Sequence, residues 1–157
     1  MTHSSDLFYS YLETPIGQIE VCANSQCIVS IFFSESQQDI YQGNPITEEA
    51  VTQLNAYFEG KLTRFQLPLG AVGTDFQRQV WQALANIPFG VTCSYADIAN
   101  QLHNPKAVRA VGAANGKNPL SIVVPCHRVI GKNGTLTGYA GGLERKSWLL
   151  EFEQKGQ

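Results

Sequence analysis

The apolar residues of this chain change period partway along, and that change restricts the fold more than any other feature. Segments 7–14, 18–23 and 28–33 are apolar or alternating, and Pro15-Ile16-Gly17 and Asn24-Ser25-Gln26 separate them as turns, which predicts three strands. Further on the period becomes helical. Val51, Leu54, Tyr57 and Phe58 share one face, with Gly60 placed as a C-terminal cap, predicting a helix over 47–59. A linker runs through Leu67-Pro68-Leu69-Gly70 to Gly73. Thr74 then pairs with Gln77 as a capping box, Phe76, Val80, Leu84 and Ile87 form a buried face, and Pro88-Phe89-Gly90 ends the helix. Ser94 and Asp97 open a short helix reaching Leu102. Asn104-Pro105 opens another over 106–115, with Asn as N-cap, and Gly116 closes it. Two short helices so closely joined predict a helix-turn-helix. The expected fold class is α+β: a small N-terminal α/β module over 1–72, then a mostly helical domain over 73–157 carrying the helix-turn-helix and an active-site strand.

Hydrophobic residues make up 43% of the 157 and charged residues 15%, which suits a packed core rather than disorder. No apolar run has the length of a membrane span, and MTHSSDLFYS is not a secretory signal, so the cytoplasm is the expected compartment, or the nucleus in a eukaryote. The four cysteines, Cys22, Cys27, Cys93 and Cys126, are then reduced thiols. Cys22 and Cys27 lack a second closely spaced pair, although His3 and His103 exist. Small buried residues on neighbouring strands explain them better than zinc, and no metal or cofactor is expected. The net charge of −2 conceals a partition: residues 1–60 hold eight acids and no base, while residues 61–157 hold all 11 bases and five acids. A basic working half beside an acidic supporting half is the reading this favours, with modest, salt-sensitive affinity for phosphates.

The second helix of the pair, KAVRAVGAAN, is unusually bare. Ala107, Ala110, Gly112, Ala113 and Ala114 are small, and Arg109 is its one long polar side chain besides Lys106. A helix that reads base edges in the major groove carries Asn, Gln, Arg and Lys. This one suits close approach with little sequence readout, as in the minor groove, or plain packing against protein. Downstream, Ile122-Val123-Val124 has the pattern of a buried strand leading into Pro125-Cys126-His127-Arg128. An unperturbed cysteine is mostly thiol at neutral pH, and the thiolate is the nucleophile, so a neighbouring imidazole has a proton to take. Adjacent residues in extended chain face opposite ways. Cys126 and His127 then meet through a bridging water unless the chain turns, and a third group must orient the histidine.

Pro125-Cys126-His127-Arg128-Val129, preceded by the helix with Arg109 and by Gly116-Lys117-Asn118-Pro119, resembles the O6-alkylguanine-DNA alkyltransferases. Gly138-Tyr139-Ala140-Gly141-Gly142-Leu143 and Lys146-Ser147-Trp148-Leu149-Leu150 also match; the resemblance is dense from Asp75 to Glu153 and weak before it. It implies that Cys126 accepts an alkyl group from O6 of guanine, that His127 is its base through water, and that Glu153 holds the histidine. Asn118 braces the turn before the active site. Tyr95 helps extrude the nucleotide and protonates departing guanine. Arg109 fills the vacated space, with Ala107, Ala110, Gly112 and Ala113 of its helix and Arg128 also on the DNA and substrate side. The carbonyls of Cys126 and Val129 accept from the guanine amine, and the N–H groups of Tyr139 and Ala140 donate to the base. Ala140 stands where some members have Ser. Ser121 stands where others have Pro, which either weakens stacking on benzyl groups or opens room for larger alkyl groups. The target lies within a stacked duplex, so flipping accompanies the chemistry. The thioether product is not open to thiol exchange, so Cys93 is no rescue and one turnover per molecule is expected. The partner is alkylated DNA, mainly double-stranded, bound by a monomer whose binding can be cooperative, without membrane; O4-alkylthymine is left open as a substrate. A non-catalytic binder of alkylated DNA, a helix-turn-helix regulator and a thiol hydrolase are the alternatives. The first is disfavoured by the intact Cys126 and the second by the bare helix; the third lacks a recognisable oxyanion hole. Taken singly, Tyr95, Trp81 and Trp148 would read as core residues, and Glu153, His3 and His103 as surface ones.

Overall fold

The computed structural model describes residues 6–39 and 41–156; His3 lies outside them. The chain divides into two compact units, Met1–Ala71 and Val72–Gln157.

In the first unit, β1 (Phe8–Thr14), β2 (Gly17–Ala23) and β3 (Ile28–Phe33) form an antiparallel sheet in the order β1-β2-β3. By the period of two, Ile19, Val21 and Ala23 of β2 share one face with Ile31 of β3 and are fully buried with it, while Glu20 and Cys22 on the opposite face of β2 are also buried. On the other face of β2, Glu20 accepts a hydrogen bond from the Tyr11 hydroxyl opposite it, at 2.9 Å. Helix α1 (Pro45–Phe58) packs against β1 and β2. It begins two residues earlier than the sequence reading placed it, because Asn44 is its N-cap. The Asn44 side chain accepts from Thr47 N and the Thr47 hydroxyl accepts from Asn44 N, with Pro45 in the first turn.

The same dipeptide behaves differently in the second unit. Asn104-Pro105 does not open a helix. It forms a turn closed by Ala107 N donating to Asn104 O, and helix α4 runs Val108–Gly116 without a side-chain cap. The reason lies three residues on: Thr47 completes the reciprocal bond with Asn44, whereas Ala107 has no side-chain oxygen to do so for Asn104. Helix α2 (Asp75–Ala85) starts with the Thr74–Gln77 capping box, and Trp81 Nε1 anchors it on α4 by donating to Ala114 O at 2.8 Å. Val80, Leu84 and Ile87 are buried as the periodicity predicts, while Phe76 is only half-buried. Ser94 and Asp97 cap α3 (Tyr95–Gln101), which packs on α4 as the helix-turn-helix pair. Strand β4 (Cys93–Ser94) pairs in parallel with β5 (Val129–Ile130), and α5 (Leu143–Lys155) ends the described chain.

The strand predicted over 122–124 is a correction. Ile122 has a φ of 71°, Val123 N donates to Ser121 O and Val124 N to Leu120 O, so the apolar run is a buried double turn. A β-branched residue at positive φ is strained and persists only when its surroundings fix it. Asn118 does the fixing. Its Nδ2 donates to Val124 O at 2.8 Å and its Oδ1 accepts from Leu120 N at 3.0 Å. Cys126–Arg128 follows as a single 3₁₀ turn, so β5 lies after the cysteine rather than before it. Replacing Asn118 by Ala leaves the buried Leu120 N–H unpaired, at about 1–3 kcal/mol, and removes one of two donors from Val124 O, which keeps Cys126 N at 2.8 Å. Urea unfolding of Asn118→Ala should therefore give a stability lower by roughly 1–3 kcal/mol; a loss within experimental error would show that the turn holds itself.

Candidate active site

Four residues that the sequence singled out converge in the second unit: Cys126, His127, Asn118 and Glu153. His127 is 0% and Glu153 1% exposed, and His127 Nε2 lies 2.8 Å from Glu153 Oε2. Arg128 clamps the same carboxylate, Nε to Oε1 at 2.8 Å and Nη2 to Oε2 at 2.9 Å, and Gly90 N adds a donor at 3.3 Å. Burial alone would raise the Glu153 carboxyl, but the hydrogen bonds and charges of His127 and Arg128 outweigh it and hold the group far below the carboxylate range. Glu153 is therefore ionised and can only accept, which puts the His127 proton on Nε2. Burial lowers the imidazole from its ordinary value, against the opposing pull of Glu153, so His127 is neutral. Its Nδ1 is left as a bare lone pair, buried and without a hydrogen-bond partner among the described residues. That is the arrangement of a poised base.

Cys126 is also buried, and burial pushes its thiol up; the Asn118 side chain and the Lys146 ammonium push the other way. Lys146 is fully buried on α5, and its Nζ donates to Val129 O at 2.6 Å and Thr137 O at 2.7 Å. The sequence reading assigned Lys146 no role. The signal was its spacing: Lys146, Leu149 and Glu153 fall at i, i+3 and i+7 on one helical face, all three buried. Asn115 was also passed over. It is buried, its Nδ2 approaches Cys126 O at 3.5 Å, and its Oδ1 has no hydrogen-bond partner among the described residues.

The residues expected on the DNA side separate. On α4, Arg109, Ala110 and Ala113 are exposed, while Ala107 and Gly112 are partly covered, and a Cβ on Gly112 would meet the Tyr95 ring at 3.9 Å. Val111, Ala114 and Asn115 form the buried face. Tyr95 is half-buried and its hydroxyl contacts Thr137. Tyr139 and Ser121 are buried and Ala140 is exposed. Burial drives the Tyr139 phenol well above the ordinary range, against a lowering contribution from the Ser121 side chain. Arg128 is buried. It is 5% exposed, its remaining nitrogen donates to Ile87 O at 2.6 Å and its guanidinium lies over the Phe89 ring, so its guanidinium is engaged within the protein. The Val129 carbonyl, expected to face guanine, already accepts from Lys146. No group of three His, Cys, Asp or Glu side chains among the described residues is arranged to hold a metal, and all four cysteines are free thiols.

Two family models match the chain: "6-O-methylguanine DNA methyltransferase, ribonuclease-like domain" over residues 7–71 and "6-O-methylguanine DNA methyltransferase, DNA binding domain" over residues 75–155. The methylated-DNA–protein-cysteine methyltransferase of Methanosarcina barkeri is 44% identical, covering 94% of this chain and 98% of the relative. The constitutive enzyme of that name from Bacillus subtilis is 46% identical, covering 94% and 95%. The crystal structure of Mycobacterium tuberculosis O6-methylguanine methyltransferase superposes with a TM-score of 0.87 at 44% identity, over 97% of this chain and 95% of that one. Its counterpart in complex with DNA gives 0.86 at 46% identity, over 95% and 94%.

The buried ion cluster makes stability depend on pH. His127, depressed in the fold, binds its proton more readily unfolded, so stability falls as pH drops below about 6.5. Glu153, also depressed, adds a second loss below about pH 4.3. Urea midpoints measured from about pH 8 down to about pH 3 should decline in these two stages. In Glu153→Gln the second stage should shrink, and stability at neutral pH should drop by roughly 3–5 kcal/mol because Arg128 is left buried without its counter-charge.

Proposed function

This chain belongs to the 6-O-methylguanine DNA methyltransferase family, and from that membership we propose how its residues carry out direct repair of alkylated DNA. The reaction moves the alkyl group from O6 of guanine to Sγ of Cys126. The observation that carries the reading is the bare, buried Nδ1 of His127, its ring locked through Nε2 on Glu153. A water bridging Cys126 to that nitrogen takes the thiol proton to His127, and Glu153 stabilises the resulting imidazolium. The Lys146 ammonium and the Asn118 side chain favour the thiolate. The thiolate attacks the alkyl carbon in line, and the C–O6 bond breaks with its electron pair on guanine. Tyr95 supplies the proton that makes guanine a good leaving group.

The alkyl carbon is out of reach inside a stacked duplex, so the nucleotide is turned out of it, at a cost of a few kcal/mol. The exposed face of α4 supports entry into the minor groove of double-stranded DNA: Ala110 and Ala113 allow close approach and Arg109 occupies the vacated stack. The thioether on Cys126 has no thiol-exchange route back, so each molecule, acting as a cytoplasmic monomer, reacts once.

Incubation with an oligonucleotide carrying O6-methylguanine should add the mass of one methyl group per protein, mapping to Cys126 and absent in Cys126→Ala. Lesion binding without a mass gain would replace transfer by recognition alone. His127→Gln should slow transfer by roughly 10²–10⁴-fold while lesion binding persists.

A further inference from the structure

Tyr95 and Lys146 meet at one residue for which the reaction so far has no use. The Thr137 carbonyl accepts from the Tyr95 hydroxyl at 3.1 Å and from Lys146 Nζ at 2.7 Å, and the Thr137 hydroxyl oxygen lies 3.1 Å from the same Tyr95 oxygen. A phenol has one proton. If Tyr95 donates it to the Thr137 carbonyl, the second contact is a hydrogen bond only when Thr137 Oγ1 is the donor; the reverse assignment leaves the carbonyl contact without a hydrogen. The approach is close. Gly138 has a φ of 62°, and a Cβ there would lie 3.4 Å from the Tyr95 oxygen.

We propose that Thr137 is a positioning residue for alkyl transfer, its hydroxyl donating to the Tyr95 oxygen and supporting that oxygen while Tyr95 gives up its proton. The inference rests on the proton-donor role of Tyr95 stated above. As the sulfur–carbon bond forms and the C–O6 bond breaks, the Tyr95 proton leaves the Thr137 carbonyl for guanine. The phenolate oxygen keeps the Thr137 hydrogen bond, which is stronger to a charged acceptor than to a neutral one. The carbonyl is not stranded, because Lys146 still donates to it. Tyr95 is reprotonated from solvent, into which His127 releases the proton taken from Cys126, so the thiol proton ends in net terms on guanine.

Thr137→Val keeps the branched shape and the carbonyl while deleting the donor; Thr137→Ser restores the donor. Single-turnover transfer from O6-methylguanine DNA and lesion-DNA affinity would be measured separately for both, for Tyr95→Phe and for the Tyr95→Phe/Thr137→Val double variant. The expected result is a transfer rate constant about tenfold lower in Thr137→Val, affinity within about twofold of the parent, recovery in Thr137→Ser, and no further loss when Thr137→Val is added to Tyr95→Phe. A Thr137→Val protein at the parent rate overturns the proposal, as does a loss of equal size in the Tyr95→Phe background, a loss carried by affinity, or a failure of Ser to restore the rate. A Tyr95→Phe protein at the parent rate removes the donor role of Tyr95 itself, and the proposal falls with it. A slow Tyr95→Phe beside an unaffected Thr137→Val removes only the part assigned to Thr137.

Discussion

One buried carboxylate organises the second unit. Glu153 draws a donor from the 3₁₀ turn in His127, two from the same turn in Arg128 and one from the loop after α2 in Gly90. Taking a carboxylate out of water is costly, and only a full set of partners offsets the cost. The partners come from two places in the chain, so the 3₁₀ turn and the loop after α2 are both fastened to α5 at one point. The hydrogen bond that fixes the fold also chooses the tautomer of His127, since an ionised Glu153 can be satisfied only by Nε2–H.

The thiols show why exposure and acidity alone do not identify a nucleophile. Burial pushes Cys93 up to about 11, with Asp97 adding to the shift, and pushes Cys126 up as well. What separates them is company. Cys93 faces a carboxylate, which opposes a thiolate; Cys126 faces an amide side chain and an ammonium, which favour one. In the resting protein Cys126 is a protected thiol, and its reactivity depends on groups able to stabilise negative charge when the proton leaves.

The sheet of the first unit was legible because alternation and turn residues agree on its three strands. Helix starts were legible only where both halves of a capping box were present: Thr74–Gln77 and Ser94–Asp97 gave true starts, while Asn104 lacked a partner and misplaced α4. The turn over 122–124 was hidden because an apolar β-branched run reads alike in a buried strand and a buried turn, and no sequence rule anticipates Ile122 at positive φ. The burial of Arg128 was not legible because its partners, Ile87 and Glu153, stand 41 and 25 positions away. Lys146 was passed over because lysine is by default a surface residue, and only its helical phase with Glu153 argued otherwise. The family resemblance supplied the pairing of His127 with Glu153; local spacing could not.

The exposed face of α4 is made of methyl groups around one guanidinium. Such a face has almost no vocabulary for naming bases, so in the proposed docking mode it would meet each stretch of duplex on equal terms and hold none of them for long. On that proposal, discrimination would be deferred from the outer surface to the buried turn at Cys126, where only a base that fits and reacts would be distinguished. A protein that must inspect a whole genome for rare damage is better served by this indifference than by affinity for any motif, because every preferred sequence would be a place to stall.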